Sequence, residues 1–168
     1  KLYEPEEGTI LIDGIDIAQI DPADLRKGIS YVPQDIHLFG GTIKQNILGI
    51  HKFIDDEWML ECSKMSGTDE FVRMHPAGYD MPLGERGAGL SGGQRQSVGI
   101  ARALINNSDI WMFDEPTNAM DQTSESIVLN NLMSKIEGKT LLLVTQKMSM
   151  VDLVDRIIVM NFGTKVLD

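Results

Sequence analysis

Apolar and polar positions fall into short blocks along the chain, and each block carries a recognisable period. Gly8 to Ile17 reads as two short strands around Asp13-Gly14, a dipeptide favoured in tight hairpins. Asp21 to Arg26 predicts a short capped helix, and Gly28 to Val32 a strand ending at Pro33. Gly41 to Ile50 and Asp55 to Ser66 predict a helical insert. Asp55 and Asp56 place negative charge at a helix start, and Gly67 supplies a stop. Asp69 to Met74 is a further helical piece. From Ser91 a longer helix carries Val98, Ile100, Ala101, Leu104 and Ile105 at near-helical spacing. The continuous apolar run Ile110 to Phe113 suits a strand buried on both faces of a parallel sheet. Thr123 to Ile136 is then a helix ending at Gly138, and Thr140 to Thr145 a second buried strand by the same run-length argument. A short helix closes at Asp152 to Val154. Arg156 to Met160 is another strand, and Asn161 to Gly163 turns the chain into Thr164 to Leu167. Strands alternating with helices indicate an α/β fold with a mostly parallel, helix-covered sheet.

Composition narrows this only a little. The 168 residues suit one domain with a real core. A formal charge of −10 argues against a nucleic-acid-binding face, which needs clustered Lys and Arg. The single Cys62 excludes an internal disulfide and a cysteine-based zinc site. No run of about 18 apolar residues is present, so no helix here is expected to span a membrane. The chain opens mid-pattern at Lys1-Leu2-Tyr3-Glu4-Pro5, which reads as the interior of a longer protein.

The chemistry concentrates between Leu90 and Asp121. Ser91 is a good N-cap, yet two adjacent glycines, Gly92 and Gly93, stand just inside the helix start, where they cost stability. They allow close backbone approach to a ligand, with N–H groups and the positive helix end aimed at an anion. Asp114 and Glu115 directly follow an apolar run, which puts two carboxylates at the carboxyl end of a strand, where open α/β sheets bind ligands. The histidines His37, His51 and His75 match no motif and read as surface or packing residues.

The order Leu90-Ser91-Gly92-Gly93-Gln94, helix, buried strand, Asp114-Glu115-Pro116-Thr117 and Asp121 resembles the ATP-binding cassette (ABC) ATPases. The resemblance implies a truncated RecA-like ATPase fold over 1–168, with a helical subdomain over 41–106 and an N-terminal β-hairpin. It implies ATP and Mg²⁺ as cofactors. Asp114 matches the aspartate that holds Mg²⁺, and Glu115 the glutamate that deprotonates the attacking water. Gln34 matches a glutamine that contacts the metal or that water. Ser91, Gly92, Gly93 and Gln94 match the signature that covers the γ-phosphate bound by the opposite subunit. Asp121 matches a loop crossing the dimer interface. Glu85 and Arg86, just upstream, match a segment near the membrane partner, or else form a solvated loop.

Two departures qualify the match. After the Thr140–Thr145 strand the family has His where this chain has Gln146, which can donate to phosphate but cannot take up a proton at neutral pH. Slower hydrolysis, or a site kept mainly for binding, is therefore expected. The family also holds phosphates with G-x-x-x-x-G-K-[S/T]. The one G-K-T here, Gly138-Lys139-Thr140, has Met133 where the first glycine belongs and precedes a strand instead of following one. It is a decoy, and the real loop is expected upstream of Lys1. Its absence predicts exposed sheet edges and a chain that associates through them or is marginally folded.

The wording D-E-P-T-N-A-M-D-Q-T-S-E looks like the ATPase part of bacterial type I secretion exporters. That implies a second nucleotide-binding domain, a transmembrane domain, and a periplasmic adaptor with an outer-membrane channel as partners. It also implies a place on the cytoplasmic face of the inner membrane. A soluble ABC ATPase without a membrane domain, and an interaction module without catalysis, remain the alternatives.

Overall fold

Three of the apolar runs form one parallel sheet in the computed structural model, which describes residues 3–51 and 54–168. Lys1 and Leu2, where the mid-pattern start is read, lie outside the described residues. In chain order the elements are β1 (Leu11–Ile12), β2 (Ile15–Asp16), α1 (Pro22–Lys27), β3 (Ile29–Val32), β4 (Gly41–Thr42), α2 (Ile43–Leu48), α3 (Asp56–Met65) and α4 (Thr68–Val72). They continue with β5 (Pro82–Leu83), α5 (Gly92–Leu104), β6 (Ile110–Asp114), α6 (Gln122–Met133), β7 (Thr140–Val144), β8 (Val159–Asn161) and β9 (Thr164–Leu167). The sheet order is β3-β6-β7, all parallel, with Ile29, Ile110 and Thr140 level at one end and Val32, Phe113 and Leu143 level near the other. The remaining strands pair only as antiparallel twos: β1 with β2 around Asp13-Gly14, β4 with β5, and β8 with β9.

Local chemistry accounts for the helix starts. Asp21 caps α1 by accepting the Ala23 N–H, with Pro22 in the first turn. Thr42 and Gln45 form a reciprocal capping box on α2, and Asp55 caps α3. Gly67 follows α3 at φ 76°, the left-handed conformation that lets the chain reverse there.

The core lies on one side of the sheet. Val98, Ile100, Ala101, Leu104 and Ile105 are buried, as their spacing predicts. Helix α5 packs against β3 and against α2, α3 and α4. Burial of each large aliphatic side chain is worth about 1.5–3 kcal/mol, so α5 is the central post of the fold. Trp111 and Phe113 face the same core, their rings stacked with centroids 5.6 Å apart. Cys62 is fully buried, and that burial, with Glu61 adding to it, pushes its thiol up to about 12.

The opposite row of the sheet departs from expectation. Tyr31 on β3 is 56% exposed and Leu142 and Val144 on β7 are 53% and 54% exposed, while Met112 between them on β6 is half-buried, so β3 and β7 are covered on one face and not on two. Run length alone cannot tell a strand buried on both faces from one whose second apolar face is bare. β7 also ends the sheet as an edge. Arg156 to Ile158 is not strand; β8 begins only at Val159 and pairs with β9, away from the main sheet. Helix α6 stops at Met133, three residues earlier than its pattern suggested, and Gly138 serves the following turn at φ 77°.

Candidate functional site

Because β3, β6 and β7 are parallel, their carboxyl ends share one edge, and each delivers a candidate residue there. Gln34 stands two residues past β3, Asp114 ends β6 with Glu115 next, and Gln146 stands two residues past β7. Glu115 is buried and held on three sides, by its backbone and its side chain. Its N–H donates to the Val144 carbonyl (2.9 Å), its carbonyl accepts from Gln96 Nε2 (3.2 Å), and its Oε1 accepts from the Gln146 backbone N–H (3.2 Å). It adopts φ 46°, a left-handed conformation that costs a non-glycine residue about 1–2 kcal/mol and persists only where neighbours over-determine it. The Asp114 carboxylate has no hydrogen-bond or ion-pair partner among the described residues, and the Gln34 and Gln146 side chains are exposed.

The second group gathers at the start of α5. Ser91 Oγ accepts the Gln94 N–H (3.1 Å) while Gln94 Oε1 accepts the Ser91 N–H (2.9 Å), a complete capping box. The Gln94 side chain is thus engaged with its own helix. Both glycines have a packing reason beyond the ligand approach read from sequence. A Cβ on Gly92 would lie 3.0 Å from the Ala119 Cβ, and one on Gly93 3.1 Å from the Ala119 carbonyl oxygen. The loop before α6 therefore rests directly on the helix start. Ser91 to Gln94 and Asp121 line one crevice of about 290 Å³, together with Met120 and Phe71. Asp121 caps α6, accepting from the Thr123 and Ser124 N–H groups and from Ser124 Oγ. The Ser124 bonds above all hold its carboxyl below the usual range.

The two groups are joined by residues the sequence reading passed over. Gln96 is buried on α5; its Nε2 donates to the Glu115 carbonyl and its Oε1 accepts the Ala119 N–H at 2.7 Å. On the other side Glu125, in the first turn of α6, is buried against Lys147. Its carboxylate accepts from Lys147 Nζ, from Thr117 Oγ1 (3.0 Å) and from Ser149 Oγ (2.7 Å), and Lys147 Nζ also donates to the Thr117 carbonyl (2.8 Å). Burial alone would raise the Glu125 carboxyl, but the bonds from Lys147, Ser149 and Thr117 outweigh it and hold the group below its ordinary value. No local pattern announces Gln96, Glu125 or Lys147, since each gains its role from residues at least eight positions away.

Gly138-Lys139-Thr140 is confirmed as structural: Lys139 Nζ donates to the Ser108 carbonyl (2.9 Å) and lies 5.7 Å from the Trp111 ring centre, and Thr140 begins β7. The donor set at the sheet edge fits Mg²⁺ only as a companion of phosphates. Among the described residues no three His, Cys, Asp or Glu form a metal cage. One unpartnered carboxylate suits an ion that brings its own waters and nucleotide oxygens. No helix among the described residues is long and apolar enough to cross a membrane.

Known proteins resemble this chain in sequence and in fold. The ABC transporter family pattern matches residues 1–118. The chain is 43% identical over 163 residues to a leukotoxin translocation ATP-binding protein of Mannheimia glucosida, and 42% identical to a leukotoxin export ATP-binding protein of Aggregatibacter actinomycetemcomitans. Each match covers 97% of this chain and 23% of the relative, so the chain spans just under a quarter of these relatives' length. Its fold is similar to that of a bacterial Atm1-family ABC exporter solved with ATP bound, with a TM-score of 0.93 and 36% identity over 97% of this chain and 29% of that one. With the family pattern, the relatives and the fold in accord, the chain belongs to the ABC transporter family.

Proposed function

We propose that these residues form the hydrolytic part of an ATP-driven exporter subunit, similar to the leukotoxin exporters and working in type I protein secretion. The observation that supports this reading is the shared carboxyl edge of β3, β6 and β7, just past whose strand ends the chain carries Gln34, Asp114, Glu115 and Gln146, with the Gln146 N–H bonded to the Glu115 carboxylate. Phosphoryl transfer to water asks the protein chiefly for positioning, charge neutralisation and a base. Glu115 is that base: its carboxylate is fixed by the Gln146 N–H, with the second oxygen left to take the proton of an in-line water. Asp114 and Gln34 would hold Mg²⁺, which supplies neutralisation of phosphate charge when bound. Ser91, Gly92, Gly93 and Gln94 serve the nucleotide of an opposing domain. After the capping box is made, the Gly92 and Gly93 N–H groups at the positive helix end remain for an anion. Asp121 shapes the loop that meets that domain.

In this reading residues 1–168 are part of one nucleotide-binding domain, with 41–106 as its helical subdomain. It pairs head to tail with a second copy and is attached to a transmembrane domain at the cytoplasmic face of the inner membrane. A periplasmic adaptor and an outer-membrane channel complete the export path. The phosphate-binding loop comes from sequence outside these residues, so the 168-residue chain alone neither holds nor hydrolyses ATP. The test is calorimetric titration of Mg-ATP into the complete protein and into this chain. Saturable binding to the first and none to the second is expected. Saturable binding to the 168 residues alone would overturn the division of the site.

A further inference from the structure

The Glu125–Lys147 cluster lies outside every role assigned above, yet it ties together the segments that carry the reaction. Its four members come from three places: Thr117 from the turn after β6, Glu125 from α6, and Lys147 with Ser149 from the loop after β7. Thr117 is two residues from Glu115, and Lys147 follows Gln146, whose backbone N–H holds the Glu115 carboxylate at 3.2 Å. Met150 anchors the far end of the segment after β7 in the core, but between β7 and Met150 the Gln146 and Met148 side chains are exposed and make no hydrogen bonds, so the stretch beside Glu115 is held by Lys147 and Ser149. An ion pair at a stability site can sit anywhere; this one clamps the two segments that face each other across Glu115. Glu115 also carries a left-handed backbone, a conformation maintained only by its surroundings.

We infer that Lys147 and Glu125 are positioning residues for the reaction at Glu115, holding the loop after β7 so that the Gln146 N–H keeps the Glu115 carboxylate aimed at the attacking water. The inference rests on the functional reading above. Neither side chain meets nucleotide, so their loss disturbs turnover and leaves nucleotide affinity in place. Displacement of the base by about 1 Å is enough to cost on the order of 100-fold in rate.

The experiment measures kcat and KM for Mg-ATP in the complete protein for Lys147→Met, Glu125→Gln, the double variant, Lys147→Arg and Ser149→Ala, with thermal midpoints alongside. Lys147→Met is expected to lower kcat about 10- to 100-fold with KM within about two-fold. The double variant should be no slower than the worse single, since both break one interaction. Lys147→Arg, which keeps charge and reach, should retain most of the rate. Ser149→Ala, which removes one hydrogen bond and no charge, provides a mild variant should the others fail to fold, with a kcat loss of about three-fold expected. Unchanged kcat in a folded Lys147→Met or Ser149→Ala, or a KM that rises in step with the fall in kcat, overturns the inference alone. Absence of hydrolysis in the unsubstituted protein overturns the functional reading and the inference with it.

Discussion

Gln96 accepts the backbone N–H of Ala119 at 2.7 Å, and through its other amide atom it donates to the carbonyl of Glu115. One buried side chain on α5 thereby sets both the turn after β6 and the loop that rests on Gly92 and Gly93. Gln96→Ala leaves the Ala119 N–H without its partner and the Glu115 carbonyl with the Asn118 N–H alone, at a cost of about 1–3 kcal/mol. Urea unfolding should register that loss. Hydrogen exchange at Ala119 should accelerate more than at β6 amides; an unchanged Ala119 rate would contradict the bridge.

Gly99 controls a second connection. A Cβ there would fall 2.5 Å from Ile36 Cδ1 and 2.8 Å from its Cγ2, so the whole Ile36 side chain must move, and with it the segment that begins at Gln34. Gly99→Ala is expected to destabilise by about 1–3 kcal/mol through overpacking. Combining it with Ile36→Ala should recover part of that loss, giving a coupling that strictly additive effects would contradict.

Acid sensitivity follows from Glu125. Its carboxyl is held below the ordinary 4.5 in the folded protein, so its contribution is complete above about 4.5 and is lost as pH falls through the folded value. Thermal midpoints measured from pH 7 downward should therefore drop less steeply for Glu125→Gln than for the unsubstituted chain. Parallel acid limbs would show that Glu125 titrates alike in both states.

Much of this was legible in the sequence where the cause is local. Ser91 as an N-cap, Asp13-Gly14 between two apolar pairs, and Asp21 before Pro22 each dictate their own geometry within a few residues. The placement of Asp114, Glu115 and Gln146 followed from strand order. The cover of the sheet was not legible. Leu142 and Val144 have the same run-length signature as a fully buried strand, and which elements lie on each face is decided by segments distant in sequence. Arg156 to Ile158 likewise has a strand's composition and no strand partner. The left-handed Glu115 and the Glu125–Lys147 clamp are invisible for the same reason, because only tertiary neighbours impose them.

Gln146 offers a test of the departure from the family's histidine. Its backbone N–H already holds Glu115, and its exposed side chain is free to meet a phosphate. Gln146→His in the complete protein adds a group able to carry a proton near neutral pH. Turnover should rise several-fold, with a pH dependence near the imidazole range that the unsubstituted protein lacks. No change in rate or profile would mean that the amide performs the same task.

The most direct measurement is steady-state ATP hydrolysis by the complete protein with Glu115 intact and with Glu115→Gln. Removal of a general base is worth on the order of 10²–10⁴ in rate. The account predicts a fall of at least about 100-fold with Mg-ATP affinity held within a few-fold. Hydrolysis in Glu115→Gln within about two-fold of the original rate would contradict the assignment of Glu115 as the base, and with it the role given to the carboxyl edge of the sheet.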